Sequence, residues 1–166
     1  MKKVFIGTDH VGYELKEKLI PYLKELGYDV EDKGAFTYDA DDDYPDFILP
    51  VARAVAENPD EHFGIVMGGS GQGEAIAANR IKGVRAALFY GPCLPKQAVD
   101  ASGRESADPY EMIRLTREHN NANVLSLGAR FLTEEEAKMV VKLWLEAPFT
   151  SEERHVRRIR KIDELS

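Results

Sequence analysis

Two hydrophobic periods alternate along the chain. Val4, Phe5 and Ile6 form a short continuous apolar run, and Leu15, Leu19, Ile20, Leu23 and Leu26 then recur at helical spacing. The pattern predicts a strand over residues 4–7 and a helix over 13–26. Gly27 follows the last apolar position, where a left-handed cap ends a helix, and a second strand begins over 28–31. The acidic stretch 34–43 reads as a loop. Tyr44-Pro45-Asp46 then opens a helix to about residue 57, with Phe47, Val51, Ala54 and Val55 on its inner face. Residues 63–67 are apolar apart from Gly64, as a strand covered on both faces requires. A glycine-rich turn follows, then a helix over 74–80 and a strand over 84–90. Residues 92–109 carry three prolines and read as a long loop with a short helical piece around 96–101. A helix over 110–118, a strand over 124–127 and a helix from Thr133 to about 146 complete the alternation. Thr133 and Glu136 have the spacing of a capping box. A basic terminal helix is expected over 154–161.

Strands alternating with helices imply an α/β fold: three layers, α/β/α, around a five-stranded parallel sheet, with a C-terminal helix. Ligands of such sheets bind beyond the carboxyl ends of the strands, where Asp9-His10, the glycine turn, Tyr90 and Gly128-Ala-Arg130 fall. Length and composition, 166 residues at 43% hydrophobic, fit one domain over residues 1–166. A net charge of −7 argues against nucleic acid as a partner. No stretch approaches the roughly 20 apolar residues of a membrane span. The one cysteine, Cys93, excludes an internal disulfide, so the chain reads as cytoplasmic.

The chemistry concentrates in the turn after the third strand, where Gly68, Gly69, Gly71 and Gly73 precede Glu74. Bare backbone lets such a turn adopt positive φ and aim N–H groups at an anionic oxygen. A carboxylate beside them suits proton abstraction next to a carbonyl. The spacing fits neither a Walker loop, nor a nucleophile elbow, nor a dinucleotide fingerprint. From spacing alone it reads equally as a tight strand-to-helix turn with Glu74 favouring a helix N-terminus. The aspartates of 39–43 lack the glycine and the glutamate of a calcium loop, since Tyr44 and Pro50 stand there, and read as a solvated acidic loop. His10, His62, His119 and His155 show no local metal-ligand pairing. Cys93 reads as an incidental thiol. Arg154 and Arg158, four residues apart, form either a solvated helix face or a clamp for phosphate.

Five ordered blocks together carry a resemblance: Thr8-Asp-His-Val-Gly12, Asp43-Tyr-Pro45, Gly68-Gly-Ser-Gly-Gln-Gly-Glu-Ala-Ile-Ala-Ala-Asn79, His119-Asn-Asn-Ala-Asn123 and Arg154-His-Val-Arg-Arg-Ile-Arg-Lys-Ile-Asp163. The chain resembles the ribose-5-phosphate isomerase type B family, which includes galactose-6-phosphate isomerase subunits. The resemblance implies a Rossmann-like homodimer or tetramer with active sites between subunits. It also implies a sugar-phosphate substrate and neither metal nor organic cofactor. Asp9 and His119 would assist ring opening. Ser70 and the amides of Gly69, Gly71 and Gly73 would hold the enediolate oxygens. His10, Arg130, Arg154 and Arg158 would bind phosphate, and Tyr44, Asn79 and Asn120 would line the pocket.

Many members of that family have a catalytic cysteine where this chain has Gly68. The sequence resembles instead the subclass whose base is a glutamate at the position of Glu74. Residues 93–108 are expected to be an insertion that covers the pocket, extends a subunit contact or alters substrate choice. Two rival readings stand beside ribose 5-phosphate isomerisation: action on a hexose 6-phosphate, and a non-catalytic sugar-phosphate-binding module.

Overall fold

The computed structural model describes residues 2–165; positions 1 and 166 of the expected domain lie outside them. Strands β1 (Lys3–Thr8), β2 (Asp29–Asp32), β3 (His62–Gly68), β4 (Ala86–Phe89) and β5 (Val124–Gly128) form one parallel sheet in the order β2-β1-β3-β5-β4. The connecting helices are α1 (Tyr13–Glu25), α2 (Pro45–Ala56), α3 (Gln72–Ala78), α4 (Glu111–Asn120) and α5 (Glu134–Glu146), followed by α6 (Glu153–Leu165). The strand order reverses direction between β1 and β3, which opens a crevice beyond their carboxyl ends.

The two faces of the sheet differ in side-chain size. Val4, Ile6, Phe63, Ile65, Met67, Leu125 and Leu127 pack against Leu19 and Leu23 of α1, Ile113 of α4, and Val140, Val141, Trp144 and Leu145 of α5. The opposite face, under α2 and α3, carries Phe5, Val66 and Val124 interspersed with Gly7, Gly64 and Gly68. Those glycines let α2 ride close on the sheet. A Cβ on Gly64 would lie 2.9 Å from Val51 Cγ1 and 3.1 Å from Val55 Cγ2, and one on Gly7 would lie 2.8 Å from Val51 Cγ2. The close seat of α2 brings Tyr44, at its amino end, over the turn that follows β3.

The expected caps form. Gly27 takes φ 88°, and the Tyr28 N–H donates to the Leu23 carbonyl at 3.1 Å, closing α1 in a Schellman motif. Thr133 Oγ1 accepts from the Glu136 N–H while Glu136 Oε2 accepts from the Thr133 N–H. Three expectations need correction. Strand β4 is shorter than 84–90, α6 extends beyond 154–161, and Phe47 lies half-buried against Gly34 while Ile48 and Ala52 join the α2 core.

Residues 96–101 form no helix. The Asp100 carboxylate accepts the backbone N–H groups of Ser102 and Arg104 at 2.8 and 3.3 Å, a local turn that competes with helix propagation. Arg104 then fastens the segment to α4 through Glu111 at 2.7 Å and Glu118 at 3.2 Å.

Substituting Gly64→Ala should force α2 off the sheet and destabilise the fold by about 1–3 kcal/mol. Equilibrium urea unfolding would show this as a lower midpoint with an unchanged slope.

Candidate active site

Each glycine of the turn after β3 answers to a different neighbour. Gly71 takes φ 74° as it enters α3, and a Cβ there would lie 2.9 Å from the Leu127 carbonyl carbon. Its own carbonyl accepts from Ser126 Oγ at 2.6 Å, which ties the turn to β5. Gly73 lies under the Tyr44 ring, with room for no side chain: a Cβ would sit 2.8 Å from Tyr44 Cζ. Gly69 faces the Arg130 guanidinium, 3.4 Å from where its Cβ would be. Gly68 is the tightest case. A Cβ on it would fall 1.8 Å from Glu74 Oε1 and 2.2 Å from Glu74 Cδ. The carboxyl group of Glu74 therefore fills the space that a side chain at position 68 would need.

Glu74 is 5% exposed, in the first turn of α3. Burial is the largest influence on its carboxyl group and pushes its pKa above the ordinary glutamate value. Its own backbone N–H pulls the other way, and the Asp9 charge adds to the rise. Asp9, itself 7% exposed, accepts the Val11 N–H at 3.0 Å and opens a single 3-10 turn at His10–Gly12. Asp9, His10, Tyr44, Gly69, Ser70, Gly73, Glu74, Arg130 and Phe131 surround a cavity of about 460 Å³ beyond the ends of β1 and β3. The Ser70 hydroxyl lies 3.4 Å from the Gln72 N–H, which it accepts, and keeps its own proton for donation.

His10 has a partner that the sequence did not reveal. Asp42 Oδ1 accepts the His10 N–H at 3.1 Å and lies 2.6 Å from His10 Nδ1, and this hydrogen bond raises the imidazole pKa. The acidic loop read as solvated thus turns one carboxylate inward, while Asp41 and Asp43 stay exposed. Three adjacent aspartates carry no mark of which one turns. Among the described residues, Asp9, His10 and Asp42 bring possible metal-donor atoms within 4.8 Å of one another, with His10 Nδ1 already engaged by Asp42.

The other expected residues lie elsewhere on the chain. Asn79 is committed to the scaffold: its amide donates to the Ala86 carbonyl at 3.0 Å and accepts the Ala86 N–H at 2.8 Å. It borders, with Asn120, a separate cavity of about 400 Å³ among β4, α4 and α6. Gly71 is spent on the turn itself. His119, on the last turn of α4, stacks on His155 of α6 with ring centroids 4.4 Å apart and 9° between planes. Burial and the neighbouring His119 hold the His155 pKa below its ordinary value. Arg154 reaches Glu152 at 2.8 Å beside this stack, and Arg158 is exposed one turn further on. Asn121 takes a left-handed conformation at φ 43°, held through Arg117, and fixes where α4 stops. Nothing in the sequence singled out His155, a lone histidine in a basic run.

The family model described as Ribose/Galactose Isomerase matches residues 4–102 and 106–162. A ribose-5-phosphate isomerase B of Mycobacterium tuberculosis is 40% identical over 157 residues, which cover 95% of this chain and 85% of the relative. That of Escherichia coli is 37% identical over 162 residues, covering 98% and 95%. A crystal structure of the Mycoplasma genitalium ribose-5-phosphate isomerase B with bound ribulose-5-phosphate superposes with a TM-score of 0.85 at 39% identity, covering 98% and 95% of the two chains. Sequence and fold agree over nearly the whole length, and the chain belongs to the ribose/galactose isomerase family.

Proposed function

We propose that this chain interconverts ribose 5-phosphate and ribulose 5-phosphate, with Glu74 as the base. The observation that carries the reading is the buried Glu74 carboxyl group in the space above Gly68, facing a cavity that also holds Asp9, His10, Ser70 and Arg130. The names of the relatives favour the pentose phosphate over a hexose phosphate.

In the opened aldose, Glu74 removes the C2 proton and the electron pair moves toward the C1 carbonyl oxygen, giving a cis-enediolate. Returning the proton to C1 while the O2 hydroxyl proton passes to O1 collapses the enediolate to the C2 carbonyl and yields the ketose. Ser70 and the turn amides stabilise the oxyanion, typically by about 3 kcal/mol for each well-aimed donor. His10 and Arg130 take the phosphate, and Asp9 and His119 handle the protons of ring opening. His119, Asn120, Arg154 and Arg158 enter from a second copy, since on their own chain they lie outside the Glu74 cavity. Exposed Phe131 at that cavity, Tyr90, whose ring lies 6.2 Å from it, and Ile76 on α3 suit a subunit contact.

Turnover requires the carboxylate, so kcat/KM should climb as pH rises through the raised Glu74 pKa. Stability runs the opposite way. The folded chain holds this proton more tightly than the unfolded chain, so the contribution is fully present below the ordinary glutamate value and is lost as pH rises through the folded one. Glu74→Gln should therefore melt higher than the parent at neutral pH, while isomerisation falls about a hundredfold to ten-thousandfold. Deuterium wash-in from solvent to C2 at a near-parental rate in Glu74→Gln would overturn the assignment.

The shared site predicts complementation. Glu74→Gln and His119→Asn, each impaired alone, should recover about a quarter of parental activity when mixed and randomly paired as dimers. No recovery in a mixture shown to exchange subunits would place each site within one chain.

A further inference from the structure

Resting on the reading that His10 receives the substrate phosphate, we propose that Asp42 is the positioning residue that orients His10 and keeps its ring cationic. One oxygen, Asp42 Oδ1, meets both the His10 backbone N–H at 3.1 Å and ring Nδ1 at 2.6 Å, so main chain and ring are referenced to the same point. The Asp42 side chain is 8% exposed, and its Oδ2 has no hydrogen-bond partner among the described residues. A carboxylate withdrawn from water with one oxygen unsatisfied is costly, and a cationic neighbour offsets that cost. The loop is built to present it. Asp39 Oδ1 accepts the Asp41 N–H at 3.0 Å, and the Asp39 carbonyl accepts the Asp42 N–H at 3.2 Å.

The chemistry follows from the two ring nitrogens. With Nδ1–H committed to Asp42, a neutral imidazole has only a lone pair at Nε2, which repels phosphate oxygens. The imidazolium donates from both nitrogens. Asp42 and Asp9 favour that cation, Arg130 opposes it, and the Tyr38 ring meets the imidazole edge-on at 6.2 Å; the balance raises the pKa. Asp42 thereby converts His10 into a donor to phosphate above the pH at which a free histidine loses its charge.

The test compares Asp42→Asn with Asp41→Asn, an exposed control. The readouts are the His10 titration followed by NMR, and competitive inhibition by inorganic phosphate across pH. In Asp42→Asn the His10 midpoint should fall. Phosphate inhibition should weaken about tenfold near pH 8 and converge with the parent near pH 5.5, where both rings are charged, with kcat within about twofold. An equal weakening at both pH values would mark a merely structural role and overturn the proposal, as would an unmoved His10 midpoint. If Asp42→Asn does not fold, the parent alone decides, because a His10 midpoint at or below that of free histidine overturns the proposal. His10→Gln separates the layers: undiminished phosphate inhibition there would overturn the phosphate reading itself, whatever Asp42 does to the ring.

Discussion

The contact on which the site depends is the approach of the Glu74 carboxyl group to the Cα of Gly68. With a virtual Cβ 1.8 Å from Oε1, a side chain at position 68 would displace the Glu74 carboxyl group from this space. The resemblance in sequence associates position 68 with a cysteine base in many family members and position 74 with a glutamate base in others. A side chain at position 68 would require the Glu74 carboxyl group to move from its present seat, so the glycine at the end of β3 leaves room for the carboxylate where it stands. Burial in turn outweighs the base-weakening effect of the backbone N–H and leaves the group easier to protonate than an ordinary glutamate.

The rest of the architecture delivers that contact. Helices α2 and α3 lie on the glycine-bearing face of the sheet, and most of the sheet's bulky residues lie on the face under α1, α4 and α5. Because Gly7 and Gly64 admit α2 so closely, its amino end reaches Gly73 through Tyr44, one residue before Glu74. Ser126, on β5, fixes the turn from the other side through the Gly71 carbonyl. Large side chains at any of these points would lift the helices and open the carboxylate to water.

Most of the elements were legible in the sequence because period and punctuation agreed, as at Gly27, Pro45 and Thr133. The glycine turn was legible as a strand-to-helix turn, though only the three-dimensional neighbours assign each glycine its task. What escaped was set by contacts that spacing does not encode. Asp100 accepts the backbone N–H groups of Ser102 and Arg104, a local turn where a short helix was expected over 96–101. Asp42 is distinguished from its neighbours only by facing His10, across 32 positions of chain. Asn79 has the right chemistry for a sugar, yet both ends of its amide are occupied by β4. Sequence motifs record which residue types occur together, and they do not record whether a given side chain is already engaged.

The same distinction explains why the candidate residues divide into two groups on one chain. The cavity at the ends of β1 and β3 holds the carboxyl groups of Asp9 and Glu74 with His10 and Arg130. The α4–α6 corner holds His119 with Arg154 and Arg158, fixed by the His119–His155 stack and by Thr150, whose N–H and hydroxyl both donate to the Glu118 carbonyl. That stack is most favourable with His155 neutral, which its burial promotes. A charged pair of stacked imidazoles would push α6 away and move the arginines with it. The two rings have opposite surroundings: burial and the neighbouring His119 lower the His155 pKa, and the hydrogen bond to Asp42 raises that of His10. Two histidines of one intrinsic basicity are thereby shifted in opposite directions.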